Sequence, residues 1–167
     1  MAIRTLSITL LTMGLLNFLF GCSQKDAAPR FTHLSADDTA RLEHQRAIVA
    51  GAAKQRYGTP ELTKTKADLG VLQRLLDDRA FAKTQTYELQ SLGIAFGDVL
   101  ASELPLHWMM ITDDYGTDPT LRFKDTTLRI NALTMISKRV EKGEAVGVAA
   151  LLDMTRQQLA QLGGRTD

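Results

Sequence analysis

Gly93 and Gly97 are the feature that most constrains this chain, because they lie four residues apart inside a segment that otherwise reads as a helix from about Gln85 to Leu104. A glycine inside a helix costs roughly 1 kcal/mol relative to alanine, and residues four apart share a helix face. Two on one face predict that a neighbouring element packs close to the helix backbone. The segment offers Leu89, Leu92, Phe96, Val99 and Leu100 to a core, whereas Glu88, Asp98 and Glu103 interrupt any apolar span that could turn the spacing into a membrane dimer motif. The helix therefore belongs to a folded domain rather than to a bilayer.

The flanking segments fill in that domain. Ser35 can cap a helix running to about Tyr57, before Gly58, with Asp37 and Asp38 in its positive first turn. Thr59-Pro60-Glu61 repeats the start signal, and Leu62, Leu69, Leu72, Leu75 and Leu76 give a helical stripe to about Arg79. After Pro105 the character changes. Leu106 to Thr112 reads as a strand buried on both faces, and Asp113-Asp114-Tyr115-Gly116 as a turn in which Gly116 takes a positive φ. Two alternating strands follow, Thr120 to Lys124 and Thr127 to Asn131, joined around Asp125-Thr126. Two helices close the chain, about Leu133 to Lys142 and about Val148 to Leu162, ending at Gly143 and Gly163-Gly164. The expected fold is α+β: three N-terminal helices, a three-stranded antiparallel β-meander and two C-terminal helices, one domain over residues 34–163.

Ahead of the domain, Arg4 is the only charged side chain before Lys25, and residues 6–20 are mostly apolar. Thr5, Ser7, Thr9, Thr12 and Asn17 make the run a poor membrane span, and no positive cluster follows it closely. It ends in Leu19-Phe20-Gly21-Cys22, which resembles the lipobox of bacterial lipoproteins. The resemblance implies a signal peptide over residues 1–21, cleavage before Cys22, and lipid on both the Cys22 sulfur and the new amino group. The chain would then meet the membrane through lipid at Cys22, with residues 22–33 as a short tether. In a Gram-negative host, Ser23 after the cysteine implies the outer membrane, periplasmic side. Removing 21 of the 167 residues takes Arg4 with them, so 19 Lys+Arg face 19 Asp+Glu and the mature chain is formally neutral.

That balance argues against nucleic acid as a partner, since phosphate neutralisation needs a cationic excess. A single Cys excludes an intrachain disulfide and a multi-cysteine zinc site. The three histidines have no ligand spacing, and there is no P-loop, dinucleotide fingerprint or nucleophile elbow, so neither metal nor cofactor is expected.

From about Tyr87 to Leu152 the chain resembles a bacterial family catalogued as a domain of unknown function. Its members pair a Leu-Gly-x-x-Phe-Gly helix, here residues 92–97, with a Trp strand at Trp108, an Asp-x-x-Gly-x-Asp turn over Asp113 to Asp118, and a Leu-Arg strand at Leu121-Arg122. The segment from Thr134 to Glu144 also fits. The resemblance implies an α+β domain frequent in exported or envelope proteins, and implies no activity.

Several side chains invite functional readings. Asp113, Asp114 and Asp118 around Gly116 fail the calcium-loop spacing, which would put Ile111 at the first position and Arg122 at the twelfth; a hairpin turn with Asp bonding its own backbone accounts for them. If the last two strands pair around Asp125-Thr126, Phe123 faces Leu128, Leu121 faces Ile130, and Arg122 lies opposite Arg129. Opposed guanidiniums need an acid, either internal (Asp113, Asp118 or Glu103) or an external carboxylate or phosphate. Arg122, Arg129 and Trp108 are thus the candidate binding residues, although Trp108 also reads as a core anchor. Lys138, Arg139 and Lys142 read as a solvated helix face and a favourable charge at the helix C-terminus. No catalytic residue is assigned. The expectation is a binding module for a protein or cell-envelope component. An inhibitor or immunity-type protein is one alternative, and a hydrolase using Glu103, His107 and Asp113 is another.

Overall fold

A computed structural model of the chain describes residues 28–59 and 61–163. The expected signal peptide, Cys22 and Ser23 lie outside the described residues, as do Pro60 and Gly164.

Helix α1 (Ala36–Tyr57) is defined at both ends by the signals read from the sequence. The Ser35 hydroxyl accepts from the Asp38 amide at 3.1 Å, while the Asp38 carboxylate accepts from the Ser35 amide at 3.1 Å. This capping box occupies two donors that would otherwise be orphaned. Gly58, at φ +62°, ends the helix and donates to the Lys54 carbonyl.

The second helix begins later than expected. Between residues 61 and 65 the chain is irregular because the Asp68 carboxylate accepts from the Thr63 amide, the Thr63 hydroxyl and the Lys64 amide at 2.8–3.0 Å. Those bonds stabilise a loop in place of a first helical turn. A short 3-10 turn, Lys66–Asp68, leads into α2 (Leu69–Asp77), and α3 (Thr86–Glu103) follows.

Helix α3 is the centre of the molecule. Every residue from Ser91 to Leu100 is buried, so the stripe expected from the sequence is a helix enclosed on all sides. It packs against α1, against β2 (Leu106–Asp113), and against two short helices, α4 (Ala132–Met135) and α5 (Ser137–Glu141). The two glycines explain how. A Cβ on Gly93 would meet the backbone carbonyls of Ala132 and Leu133, the latter at 2.7 Å, and one on Gly97 would meet the Trp108 ring at 2.5 Å and the Ala132 Cβ at 3.0 Å. The close approach predicted from their spacing is made by α4 and by the sheet.

The sheet has four antiparallel strands in the order β1-β2-β3-β4, which corrects the expected three. The added strand is β1 (Arg30–Thr32), inside the segment read as a tether, pairing Phe31 with Ile111. Three residues are too few to show a periodicity, so their pairing is set by the open edge of β2. Strand β3 (Gly116–Phe123) joins β2 through Asp114-Tyr115, with Gly116 at φ +127°. Strand β4 is short (Arg129–Ile130), and its register sets Leu121 against Ile130 and Arg122 against Arg129.

The helix expected over 133–142 is broken at Ile136 into α4 and α5. The last helix, α6 (Val148–Gly163), is capped from outside its own sequence. The Gln73 side chain accepts from the Val148 amide at 2.9 Å and donates to the Val146 carbonyl at 3.0 Å. No helix among the described residues is long and apolar enough to cross a membrane.

Candidate functional site

Alternation along the strands gives the sheet two chemically different faces. Leu106, Trp108, Leu121, Phe123 and Ile130 share the face towards α3, and His107, Met109, Ile111, Arg122 and Arg129 share the other. The residues singled out from the sequence are distributed over both.

Arg122 and Arg129 are opposed as expected, and each is engaged within the fold. Arg122 donates through Nε to the Thr126 carbonyl at 2.8 Å and through Nη2 to the Asp125 carbonyl at 2.6 Å, bracing the β3–β4 turn. Its guanidinium also lies 4.7 Å from the centre of the Phe31 ring. Arg129 reaches the Asp113 carboxylate at 3.3 Å. Like charge at this cross-strand pair is therefore offset internally, by turn carbonyls on one side and by Asp113 on the other. Asp113 also accepts from the Tyr115 amide at 2.9 Å, tying the β2–β3 turn to its own backbone.

Glu103, His107 and Asp113 are not brought together. Glu103 at the end of α3 lies 3.7 Å from Arg156 on α6. His107 is exposed at the start of β2, and Asp113 ends the same strand, roughly 20 Å away at about 3.3 Å per residue. Cys22 lies outside the described residues.

Trp108 leads to a constellation that sequence reasoning missed. Its indole Nε1 donates to Asp98 Oδ1 at 2.9 Å, and Arg46 of α1 donates to both Asp98 oxygens at 2.7 Å. Arg46 then reaches Glu43 at 3.1 Å, and Lys64 of the loop reaches the same Glu43 oxygen at 3.0 Å. Asp98 is 7% exposed, where an unpaired carboxylate would be costly. Bidentate geometry plus a third donor offsets that cost. The pKa of Arg46 is raised: burial works against the charge, and the hydrogen bonds and charges of Asp98 and Glu43 outweigh it. The Glu43 carboxyl is held below its ordinary 4.5, chiefly by the hydrogen bond from Lys64 and in spite of partial burial. Arg46 and Asp98 are 52 positions apart, so no local pattern joins them. The available signal was Asp98 itself, an acid inside the apolar run from Ile94 to Leu100.

These charges wall a pocket of about 370 Å³ between α1, the 61–68 loop and α3. Its guanidinium is spent on Asp98 and Glu43, and its Asp68 on the loop, so the network fixes three elements to one another and offers few free donors. A second pocket of about 370 Å³ lies beside α4 and α5, lined by Asn131, Thr134, Lys138, Arg139, Lys142 and Glu144. Among the described residues no group of three or more His, Cys, Asp or Glu side chains could hold a metal ion.

Fold and site together define an α+β domain in which a four-stranded antiparallel sheet and the surrounding α-helices enclose one buried helix. Residues 68–151 match the family described as "Domain of unknown function (DUF3806)", half of the chain, and the chain belongs to that family. The match begins at Asp68, ahead of the resemblance expected from about Tyr87 onward. A protein of Bacteroides thetaiotaomicron VPI-5482, solved at 1.50 Å, is similar in fold, with a TM-score of 0.72 and 14% identity over 81% of this chain and 50% of that one. The chain thus spans half the length of that structure, and at this identity the likeness shows the fold alone. Among curated proteins none matches the chain.

Proposed function

We propose that the protein is a lipid-anchored envelope protein, attached through Cys22 to the outer membrane of a Gram-negative host, whose domain is a binding module facing the periplasm. The observation that carries the anchor is the apolar run ending in Leu19-Phe20-Gly21-Cys22 just ahead of β1. Binding is favoured over hydrolysis because Asp113 pairs with Arg129 at the far end of β2 from His107 and Glu103 faces Arg156, whereas the pocket beside α5 presents unspent donors. The lipid is tested by growth with labelled fatty acid: label is expected on the full chain and lost in Cys22→Ser, and label persisting in that variant would sink the anchor. Binding is tested by pulldown from envelope extracts, with a stoichiometric partner expected.

A further inference from the structure

The two pockets have similar volumes and opposite electrostatic character. In the one between α1 and α3 the cations are already paired, Arg46 with Asp98 and Glu43, and Lys64 with Glu43. In the one beside α5, Lys138, Arg139 and Lys142 face a single acid, Glu144. Lys138 and Lys142 are exposed, lie four apart on one face, and form no ion pair among the described residues. Like charges one turn apart repel, and α5, five residues long with Lys142 as its C-cap, has little dipole to repay them. Arg139 is only half-exposed, and its Nη1 donates to the Met135 carbonyl. One end of the guanidinium is thereby fixed, which lowers the entropic cost of presenting the rest of the fork. Asn131 and Thr134 add an amide and a hydroxyl to the wall. The result is a concave, cation-rich surface with directional donors, in a chain whose charges otherwise nearly cancel. Its volume is at the small end of ligand pockets, roughly 300 to 1,000 Å³.

We propose that this pocket binds a phosphate group, with Lys138 and Lys142 as the charges and Arg139, Asn131 and Thr134 as the directional donors. The phosphate could be carried by a small soluble compound or by an anionic lipid headgroup, since both present the same oxygens. This rests on the binding-module reading and is independent of the lipid at Cys22.

The test uses the full chain in a nonionic detergent. Inorganic phosphate is titrated in while backbone and side-chain amide resonances are followed, and the same protein is then mixed with vesicles of phosphatidylcholine alone or with added phosphatidylglycerol. The site predicts saturable shifts centred on Asn131, Thr134 and residues 138–144, weakened about tenfold or more in K138Q/K142Q, since one charge-assisted hydrogen bond carries at least that factor. Saturable phosphate shifts without preference for phosphatidylglycerol assign a soluble phosphorylated ligand. A preference for phosphatidylglycerol that K138Q/K142Q abolishes assigns a headgroup. Phosphate shifts that are unsaturable or scattered, together with equal binding to both vesicles, overturn the proposal, as does wild-type behaviour of K138Q/K142Q. Cys22→Ser separates the two readings: loss of the anchor lowers association with both kinds of vesicle alike and leaves the phosphate titration unchanged.

Discussion

A single methyl group should have opposite consequences at different glycines. At Gly93 the added carbon meets backbone carbonyls of α4, which cannot rotate away. Gly93→Ala is expected to cost about 3 kcal/mol, at the upper end of overpacking losses, read as a lowered midpoint in urea unfolding. At Gly51, mid-helix in α1, a Cβ would meet nothing within 4 Å. Gly51→Ala should therefore stabilise the protein by about 0.5–1 kcal/mol through helix propensity and a less disordered unfolded chain. A loss at Gly51, or neutrality at Gly93, would contradict the packing described. Asp98 provides the electrostatic counterpart. Asp98→Asn leaves Arg46, 13% exposed, without its main counter-charge, and about 2–4 kcal/mol should be lost, somewhat less than for a fully buried pair. Because Trp108 is the single tryptophan and donates to Asp98, Asp98→Ala should also shift its emission to the red. Unchanged emission would remove the indole from the network.

At the scale of elements, legibility followed the range of the signal. The N-terminus of α1, the Gly116 turn and the β3–β4 register could be read because Ser35 to Asp38, Gly116 and the alternation around Asp125 are local patterns. The start of α2 departs from the expected one because Thr59-Pro60-Glu61 is a sound cap by itself, and only the Asp68 side chain reaching back to residues 63 and 64 overrides it. Strand β1 is invisible for a related reason: it exists through an edge supplied 80 positions later, Phe31 pairing with Ile111. Gln73 capping α6 across 75 positions is also non-local. Gln73→Leu should cost about 1 kcal/mol, the ordinary worth of a lost cap, with amide exchange accelerating at the start of α6. The candidate site was half legible. Arg122, Arg129, Trp108 and the Asp113 partner of Arg129 are legible in the sequence, but the partners of Trp108 are not, since Asp98 and Arg46 meet only in the folded chain. A chain beginning at residue 34, the boundary expected from sequence, would lack β1 and uncover the edge of β2. Light scattering should show it associating where a chain beginning at residue 28 does not.

For the molecule as a whole, acid should act through carboxylates fixed by the fold. Glu43 is held below 4.5 by Lys64, and Asp38 below 3.8 by its hydrogen bonds with Ser35. Both bind a proton less readily when folded than when unfolded, so their stabilisation is complete above those ordinary values and is lost as pH falls through the depressed ones. Unfolding midpoints should fall as pH drops below about 4.5, with Glu43→Gln shallower in that range; an identical acid slope would exclude Glu43. Strand β1 has one further consequence. Its pairing starts at Arg30, eight positions after Cys22, so a lipid on that sulfur would confine the domain within about 30 Å of the bilayer at about 3.3–3.6 Å per residue. A leash that short sets an effective concentration on the order of millimolar. A surface that grips headgroups too weakly to be noticed in dilute solution would then be occupied for much of the time, and anchoring would supply the affinity that the contacts alone do not.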